Sequence, residues 1–521
     1  MNFRTALRRF DRFDRFDVAL LALASLLAAL SLWLQSYQAL NHDNAWYLIA
    51  ASRWLDGASI YGETAFDPNP PMVVWLSAVV VSAARAFGMA PETALRLLAV
   101  LICLLATLLG GRWLRIAKVD ARLRFVVQAS FLTVMLSTAH REFGQREHFV
   151  SSLVLPYLCS TGDAEGARSS TRKLRIISGL LLGLGLCLKP QYLLLPIAIV
   201  LLRALGRAPM RRWLTLTELC AGLVMGTYMA VAMATARAYF TTILPLANAV
   251  YYVAYARSLA WALTAAPSAA LVLLLAGLAT AASLRRPLPS PERHLALSLF
   301  TGGAAAFAAF VVQRTGWPYQ ATPARVLLSV ALLYAIAQLA LQRQPQRSSQ
   351  LSALIVAGTC AFAASRFVRD YQSRHSDWIG AELVNRVIPA AGTPVKFAAL
   401  STSLQPAFPA ALYINGTWAL RYPCLWMLPA VLAGSVRDES GAWHPSPQMT
   451  QIDQTMRRSV LADFERYRPG LILVNRAPVK QALSVSVDLL RYFLQDQAFQ
   501  RFWEPYHQCG ANDEFALYCR K

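Results

Sequence analysis

Two isolated charged residues, Asp43 and Lys189, stand at the ends of long apolar segments of the chain. A carboxylate held there could accept a proton from a hydroxyl group, and an ammonium group could bind the charge of a phosphate. Each residue also has a plainer interpretation. Asp43 could be an interfacial carboxylate at a helix end without a catalytic role, and Lys189 could extend its side chain to the lipid head groups.

A mixed-charge segment, HREFGQREHF, covers residues 140–149 between two apolar runs. It contains two Arg, two Glu and two His. Such a density of opposite charges beside a membrane indicates groups that hold one another in place in a site, although a connecting loop can have the same composition. The candidate site residues in this segment are Arg141, Arg146, Glu147 and His148.

Aromatic residues follow in two later segments. Residues 237–262 carry six Tyr, Phe and Trp side chains, which is typical of an interfacial aromatic belt but could also line a groove for a lipid chain or a sugar. The segment VQRTGWPYQATP adds Trp317 and Tyr319 as candidate walls of the same cavity. Arg96 is a further candidate, because it begins a predicted membrane helix at its outer end.

The composition indicates that membrane helices position these residues. The chain has 521 residues, of which 56% are hydrophobic and only 15% are charged, and its mean hydropathy is positive. The formal net charge of +22 would suggest a nucleic-acid partner only if the basic residues clustered on one soluble face. They are sorted by loop instead, so nucleic acid is not an expected partner.

We predict about eleven transmembrane helices, on the basis of apolar runs that approach the length needed to cross a bilayer. They lie near residues 18–37, 93–111, 124–139, 149–160, 176–188, 191–204, 213–236, 267–284, 295–312, 324–341 and 351–366. The connections 1–17, 111–125, 160–176, 203–212, 285–294 and 341–350 hold 23 Lys and Arg residues, and the alternate connections hold 10. By the positive-inside rule the first set is cytoplasmic, and the candidate residues therefore face outward.

This topology predicts three parts of the chain. Residues 1–17 form a cytoplasmic leader, residues 18–366 form a transmembrane module with an outer loop at 38–92, and residues 367–521 form an extracytoplasmic domain. The apolar run from Met72 to Gly88 is predicted to be an outer-surface or re-entrant helix. If it crossed the membrane, every later basic loop would lie outside.

The extracytoplasmic domain is predicted to be α/β. The strand-like runs VKFAAL and GLILVN alternate with the helical runs TQIDQTMRRSVLADFERY and VKQALSVSVDLLRYFLQ, and two further strands flank a turn near the C-terminus. Of its cysteines, Cys509 and Cys519 are predicted to form a disulfide, which leaves Cys424 free. No catalytic motif and no cysteine spacing typical of a metal site occurs in this domain.

With these features the chain resembles the GT-C superfamily of membrane glycosyltransferases, which includes the protein O-mannosyltransferases and the lipid A aminoarabinose transferases. The resemblance lies in the acidic motif His42-Asp43-Asn44, the proline pair after Asn69 and the junction from Gly183 to Lys189. Many members have a second carboxylate where this chain has Asn44, and a His where it has Asn69. The first departure weakens the expectation of a divalent metal, and no other cofactor is expected.

The resemblance implies inverting transfer of a sugar from a polyprenyl-phosphate donor to a glycan, glycolipid or protein acceptor, at the outer face of a bacterial inner membrane. Asp43 would act as the base and Lys189 would bind the donor phosphate. The arginines that would help Lys189 are Arg96, Arg141 and Arg146. The residues that would position the acceptor or orient an arginine are Glu147, His148, Trp317 and Tyr319.

Two other classes of function remain open on the sequence. A transporter or flippase of lipid-linked sugars could also have outer charges and broken helices, although internal repeats and charges at the membrane midplane are then common. A non-catalytic component of an envelope polysaccharide machine could use the C-terminal domain for binding. Only an enzyme would transfer sugar from a polyprenyl-phosphate donor as a purified protein.

The loop charges lead to a topological prediction: the C-terminus after Lys521 lies outside the cytoplasm. A reporter that is active only outside the cytoplasm, fused after this residue, should therefore give a signal. A stably expressed fusion without signal would contradict the predicted orientation.

Overall fold

The computed structural model describes residues 14–138, 142–160, 171–206, 213–372, 395–413, 416–439 and 441–521. The chain forms two compact units. The first consists of Met1–Gln38, Leu95–Ala230 and Arg257–Arg374, and the second consists of Ala39–Ala94, Val231–Ala256 and His375–Lys521. The second unit therefore combines the segment that carries Asp43 with the C-terminal region.

Helices build the first unit. Its first helix begins at Asp14, whose carboxylate accepts the N–H groups of Phe16 and Asp17 and so satisfies donors that the helix itself leaves free. The helices that lie wholly or mainly in this unit are Arg15–Ser36, Pro91–Ile116, Ala121–Thr138, Arg146–Ser160, Arg172–Leu188, Leu194–Leu205, Leu216–Thr235, Leu259–Thr264, Pro267–Leu284, Ser290–Gln313, Thr322–Arg343 and Ser348–Gln372. Short 3₁₀ turns lie at Pro190–Leu193, Pro318–Ala321 and Pro345–Arg347.

Seven helices within the described part of the chain are long and apolar enough to cross a membrane. They are Arg15–Ser36, Pro91–Ile116, Leu216–Thr235, Pro267–Leu284, Ser290–Gln313, Pro318–Arg343 (which includes the 3₁₀ turn at its start) and Ser352–Arg369. Helices also cover the other four predicted spans, but these are shorter or more polar. The Arg146–Ser160 helix is one of them, and its side chains are buried from Arg146 to Cys159. The fold is that of a polytopic helical membrane protein with a C-terminal sheet domain.

Glycines on the Arg172–Leu188 helix allow it to pack closely against a neighbouring helix. A Cβ atom on Gly179 would lie 2.5 Å from a main-chain carbonyl oxygen of the Leu216–Thr235 helix, and a Cβ atom on Gly183 would lie 2.6 Å from a side-chain carbon of that helix. Only residues without a side chain permit this approach. The contact fixes the helix that ends immediately before Lys189.

The second unit contains shorter helices and the sheet. Its helices are His42–Leu55, Met72–Phe87, Leu244–Tyr255, Ala407–Tyr413, Leu428–Leu432, Thr450–Tyr467, Leu489–Phe493 and Gln497–Trp503, with a π-helical turn at Tyr239–Ile243. Its strands are β1 (Val395–Leu400), β2 (Gly416–Trp418), β3 (Val436–Arg437), β4 (Trp443–His444), β5 (Leu471–Asn475), β6 (Tyr506–Ala511) and β7 (Phe515–Arg520).

Five of these strands form one mixed sheet in the order β2-β1-β5-β7-β6. β1 is parallel to β2 and β5, and β7 is antiparallel to β5 and β6. Every residue of β5 is buried, which explains why the run GLILVN is continuously apolar. The predicted strands VKFAAL and GLILVN, the helix TQIDQTMRRSVLADFERY and the C-terminal hairpin are all confirmed.

The prediction of a second long helix in this domain, over residues 479–495, is wrong. Only Leu489–Phe493 is helical there, beginning at Asp488, whose side chain accepts the N–H of Arg491. The preceding residues form a loop held by the buried Lys480, whose ammonium group donates to the carbonyl oxygens of Ala477 and Val487. Burial lowers the pKa of Lys480. The sequence window showed the helical composition but not that the ammonium group of Lys480 is buried against these carbonyl oxygens.

The apolar run from Met72 to Gly88 forms the helix Met72–Phe87, which has 16 residues and belongs to the second unit. Its outer-surface or re-entrant placement stays a prediction. It packs against the His42–Leu55 helix. Its Arg85, the charge that interrupts the apolar run, forms an ion pair of 2.9 Å with Asp56. Both side chains are exposed, so this pair lies at the outer surface of the unit.

The predicted disulfide between Cys509 and Cys519 is confirmed. It joins β6 to the C-terminal end of β7. The thiol of Cys424 is buried and free. Burial, together with the charges of Asp67 and Asp43, raises the pKa of this thiol well above its ordinary value. Cys424 should therefore react slowly with alkylating reagents in the folded protein.

Removing the disulfide should destabilise the C-terminal hairpin. The bond closes a loop of 10 residues in sequence, and loops of this size typically contribute about 2–3 kcal/mol. The double variant Cys509→Ser/Cys519→Ser should therefore unfold at lower urea concentration, as measured by proteolysis of the unfolded domain. Cys360→Ser removes a free cysteine from the other unit and should leave the transition unchanged. An unchanged transition in the double variant would contradict this prediction.

Candidate functional site

A buried ion pair in the first unit joins two of the predicted site residues. The Nζ atom of Lys189 lies 2.8 Å from Oε1 of Glu147, and the side chains are 8% and 1% exposed. Lys189 is the residue that ends the Arg172–Leu188 helix, and its extended backbone leads into Pro190. Glu147 lies in the first turn of the Arg146–Ser160 helix. Two helix ends thus place opposite charges against each other.

Polar and aromatic groups surround this pair. Gln313 places its side-chain oxygen 3.5 Å from Nζ of Lys189, and the ring of Tyr319 lies 5.8 Å from the same atom. The ring of Trp317 contacts Tyr319 at 5.8 Å between centroids. The structure therefore brings four sequence-predicted residues together in the first unit. Lys189, Glu147, Tyr319 and Trp317 form what we call the lysine cluster.

A buried tyrosine connects the lysine cluster to the neighbouring chain segments. The hydroxyl of Tyr192 donates to the carbonyl oxygen of Gln320 at 2.8 Å. Arg146 and Glu147 both lie close enough to this hydroxyl to act on it electrostatically. Arg146 is itself buried, so a second cation lies next to Glu147 of the lysine cluster in a medium of low polarity.

Two further predicted residues, His148 and Arg96, have other surroundings. His148 is fully buried, its Nε2 atom lies 3.3 Å from the carbonyl oxygen of Met135, and its ring packs against Phe143. Arg96 is buried and donates to the carbonyl oxygen of Gln38 at 2.7 Å. Arg141 lies outside the described residues. These contacts of His148 and Arg96 are with the helix bundle rather than with the lysine cluster.

In the second unit, Asp43 lies in the first turn of the His42–Leu55 helix, which we call the Asp43 helix. The helix begins after Asn41, whose side-chain oxygen accepts the N–H of Asp43 at 2.9 Å. The Asp43 carboxylate is 15% exposed, and one of its oxygens lies 3.6 Å from Nε2 of His42. The geometry keeps a partly exposed carboxylate at the N-terminus of this helix.

A second carboxylate, Asp67, is buried near the Asp43 helix and was not predicted as a site residue. It accepts hydrogen bonds from the indole N–H of Trp46 at 2.7 Å and from the main-chain and side-chain N–H groups of Asn69 at 2.7 and 2.8 Å. Burial and the Asp67 charge raise the pKa of Tyr239 to about 12. The Asp-Pro-Asn-Pro sequence indicated a turn, but no sequence signal showed that its carboxylate is buried.

The arrangement of acidic residues does not resemble a metal centre. Among the described residues, no group of three or more His, Cys, Asp and Glu side chains lies in a position to bind a metal ion. Asp67 uses its oxygens to accept N–H groups, which ties it to the protein. The residues that the structure describes thus offer carboxylates and cations, but no ready-made metal site.

Comparison with known proteins identifies the fold. No protein-family model and no curated protein matches this chain by sequence. The crystal structure of ArnT from Cupriavidus metallidurans bound to undecaprenyl phosphate matches it with a TM-score of 0.61 and 13% identity, over 96% of this chain and 97% of that chain. This chain has the GT-C fold. The apo structure of the same ArnT matches with a TM-score of 0.57 over the same shares of both chains.

The GT-C fold confirms the resemblance that the sequence motifs indicated. At 13% identity the likeness lies in the arrangement of elements rather than in individual side chains. Apolar residues on helix faces replace one another with little change in packing energy, so the fold persists while the sequence changes. The placement of the elements therefore supports the fold, and the roles of the residues need their own argument.

The ion pair leads to a stability prediction. Lys189→Met leaves the Glu147 carboxylate buried without its cation, and such a loss typically costs about 3–5 kcal/mol. The double variant Lys189→Met/Glu147→Met removes both charges and should recover most of that loss. A double-mutant cycle, measured by thermal unfolding in detergent, should show this coupling. The exposed pair of Arg85 and Asp56 should show much weaker coupling, and purely additive effects at Lys189 and Glu147 would contradict the prediction.

Proposed function

We propose that this chain is a membrane glycosyltransferase that moves a sugar from a polyprenyl-phosphate donor to an envelope glycan, lipid or protein at the outer face of the bacterial inner membrane. The observation that carries the proposal is the match of the GT-C fold, over nearly the whole of both chains, to a structure with bound undecaprenyl phosphate. A ligand of that class has an apolar lipid tail and one phosphate, and this protein offers a buried cation, Lys189, among apolar helices.

The lysine cluster has the properties that a departing phosphate requires. When the bond from the anomeric carbon to the phosphate oxygen breaks, its electron pair stays on the oxygen, and a phosphodiester with one negative charge becomes a monoester with two. A cation beside that oxygen therefore stabilises the transition state more than the ground state. We assign this role to Lys189. Glu147 holds its ammonium group at 2.8 Å and so limits its motion before the donor binds.

Arg146 is the most suitable helper of Lys189 among the predicted arginines that the structure describes. It is buried next to Glu147, and its charge acts on the Tyr192 hydroxyl. A second buried cation in this part of the unit would further stabilise the charge that develops on the departing phosphate.

Asp43 is the base in this proposal. The acceptor hydroxyl attacks the anomeric carbon from the face opposite the phosphate, which inverts the configuration, and its proton passes to a carboxylate oxygen of Asp43. The partial exposure of this carboxylate leaves it accessible to an acceptor, whereas Asp67 is committed to three N–H donors.

Two substitutions test these roles. Asp43→Asn should reduce transfer by about 10²–10⁴-fold and leave donor binding largely intact, because it removes only the base. Lys189→Ala should weaken donor binding as well, because the ground-state phosphate already interacts with the ammonium group. Transfer from a polyprenyl-phosphate sugar by purified protein, together with equilibrium binding of the donor, measures both effects.

A matched control lies at the other end of the same helix. Asp56 is an exposed carboxylate that follows the Asp43 helix and pairs with Arg85, so Asp56→Asn should keep transfer within about twofold of wild type. Wild-type turnover in both the Asp43 and the Lys189 variant would refute the assigned mechanism. Translocation of the donor without any transferred sugar would instead favour a transporter.

A further inference from the structure

The C-terminal domain contacts the Asp43 helix at both ends and in the middle. Ahead of its N-terminus, the N–H group of Leu40 donates to the hydroxyl of Tyr413 at 3.0 Å. In the middle, the indole of Trp46 meets the ring of Phe408 edge to face, with centroids 5.6 Å apart. Trp46 and Phe408 are both fully buried. The segment Ala407–Tyr413 therefore lies along the first half of the helix.

Arg53 provides the third contact, at the C-terminal end of the same helix. Its guanidinium donates to the carbonyl oxygens of Trp418 and Leu420, the latter at 3.0 Å, and also to the carbonyl oxygen of Thr64. Trp418 and Leu420 belong to the C-terminal domain, and Thr64 belongs to the loop after the helix. A guanidinium has enough fixed N–H groups to bind three carbonyl oxygens at once, which an ammonium group on a flexible stem does less well.

A buried ion pair stabilises the segment of the C-terminal domain whose carbonyl oxygens accept hydrogen bonds from Arg53. Arg421, which follows Leu420, forms a two-point contact with Asp463, with Nη2 to Oδ1 at 2.8 Å and Nε to Oδ2 at 3.1 Å. Burial opposes the charge of Arg421, but the hydrogen bonds and charge of Asp463 outweigh it and hold its pKa above the ordinary value. The Asp463 charge also acts on Arg53, whose pKa is lowered by burial.

From these contacts we propose that the C-terminal domain is a positioning element for Asp43, and that Arg53 is its principal positioning residue. This inference rests on the proposed function, because it assumes that Asp43 acts as the base. A helix of 14 residues is ~21 Å long and behaves as a rigid rod. Contacts at both ends therefore fix the tilt and rotation that determine where its first turn points.

The hydrogen-bond partners of Arg53 favour a positioning role over simple attachment of the helix to the domain. Apolar packing would have been sufficient to hold an amphipathic helix against a domain. Arg53 instead directs its hydrogen bonds to main-chain carbonyl oxygens, and such bonds restrict direction as well as distance. A base must be held within a fraction of an ångström of its productive position, and a misplacement of ~1 Å can reduce the rate by about 10²-fold.

Arg53→Met is the main test, because it keeps the apolar stem and removes the hydrogen bonds. Amide hydrogen exchange of the Asp43 helix should become at least about tenfold faster, while β1 and β5 keep their protection. The turnover number should fall about 10–100-fold, and donor binding should stay within about twofold, because the phosphate is bound by residues of the other unit. Arg53→Lys should lie between Met and the wild type in both measurements.

The control is Arg466→Met. Arg466 lies in the C-terminal domain and pairs at 3.0 Å with Glu63 of the loop after the Asp43 helix, so it joins the same two parts of the chain. Both side chains are largely exposed, and the pair should contribute little. This variant should match the wild type in exchange, turnover and donor binding.

Tyr413→Phe keeps the inference testable if Arg53→Met does not fold. It removes a single hydroxyl and should cause a smaller loss of turnover, about 3–10-fold, with faster exchange confined to the start of the Asp43 helix. Unchanged exchange in the Arg53 and Tyr413 variants would overturn the inference, and so would faster exchange with wild-type turnover. Absence of transfer by the wild-type protein would instead refute the proposed function. The two failures are distinguishable, because hydrogen exchange tests the contacts of the Asp43 helix without any need for activity.

Discussion

The first unit depends on the neutralisation of charge in a medium that cannot solvate it. A carboxylate or ammonium group taken out of water loses several kcal/mol of solvation even after the protein relaxes, and only a close partner restores most of it. Glu147 and Lys189 satisfy this constraint for each other at 2.8 Å. The close packing at Gly179 and Gly183 holds the helix that ends at Lys189, so backbone geometry and charge placement support one another.

In the second unit, N–H donors of the main chain and of side chains stabilise the buried carboxylates. Asp67 is surrounded by N–H donors, and Asp463 accepts both the main-chain N–H and the guanidinium of Arg421. These carboxylates are held in place, whereas Asp43 keeps part of its surface accessible. Asp43, Asp67 and Asp463 therefore differ in how accessible they are to a bound acceptor. Only an accessible carboxylate can exchange a proton with that acceptor.

The GT-C fold relates these local arrangements to a function without determining it. A shared arrangement of membrane helices at 13% identity specifies where elements lie, and many chemistries can be built on one fold. The proposed transferase activity therefore depends on groups whose chemistry suits a phosphate leaving group, in addition to the fold. The C-terminal domain, which has no catalytic motif of its own in the sequence, acquires a role through its contacts with the Asp43 helix.

The sequence by itself determined the membrane class, the positions of the long helices, four strands of the terminal domain (β1, β5, β6 and β7) and its disulfide, because each depends on local apolar patterns or spacing. It did not show the short strands β2, β3 and β4. Tertiary structure alone decided that Lys189 meets Glu147, that Asp67 is buried and that Arg53 binds carbonyl oxygens 365 and 367 residues away in sequence. It also replaced the helix expected over 479–495 by a loop around Lys480. The contact of Lys189 with Glu147 and the contacts of Arg53 join segments distant in the chain, and the energy of a buried charge depends on partners that no local window contains. The loop at Lys480 is held by carbonyl oxygens three and seven residues away, and there the sequence did not show that the ammonium group is buried.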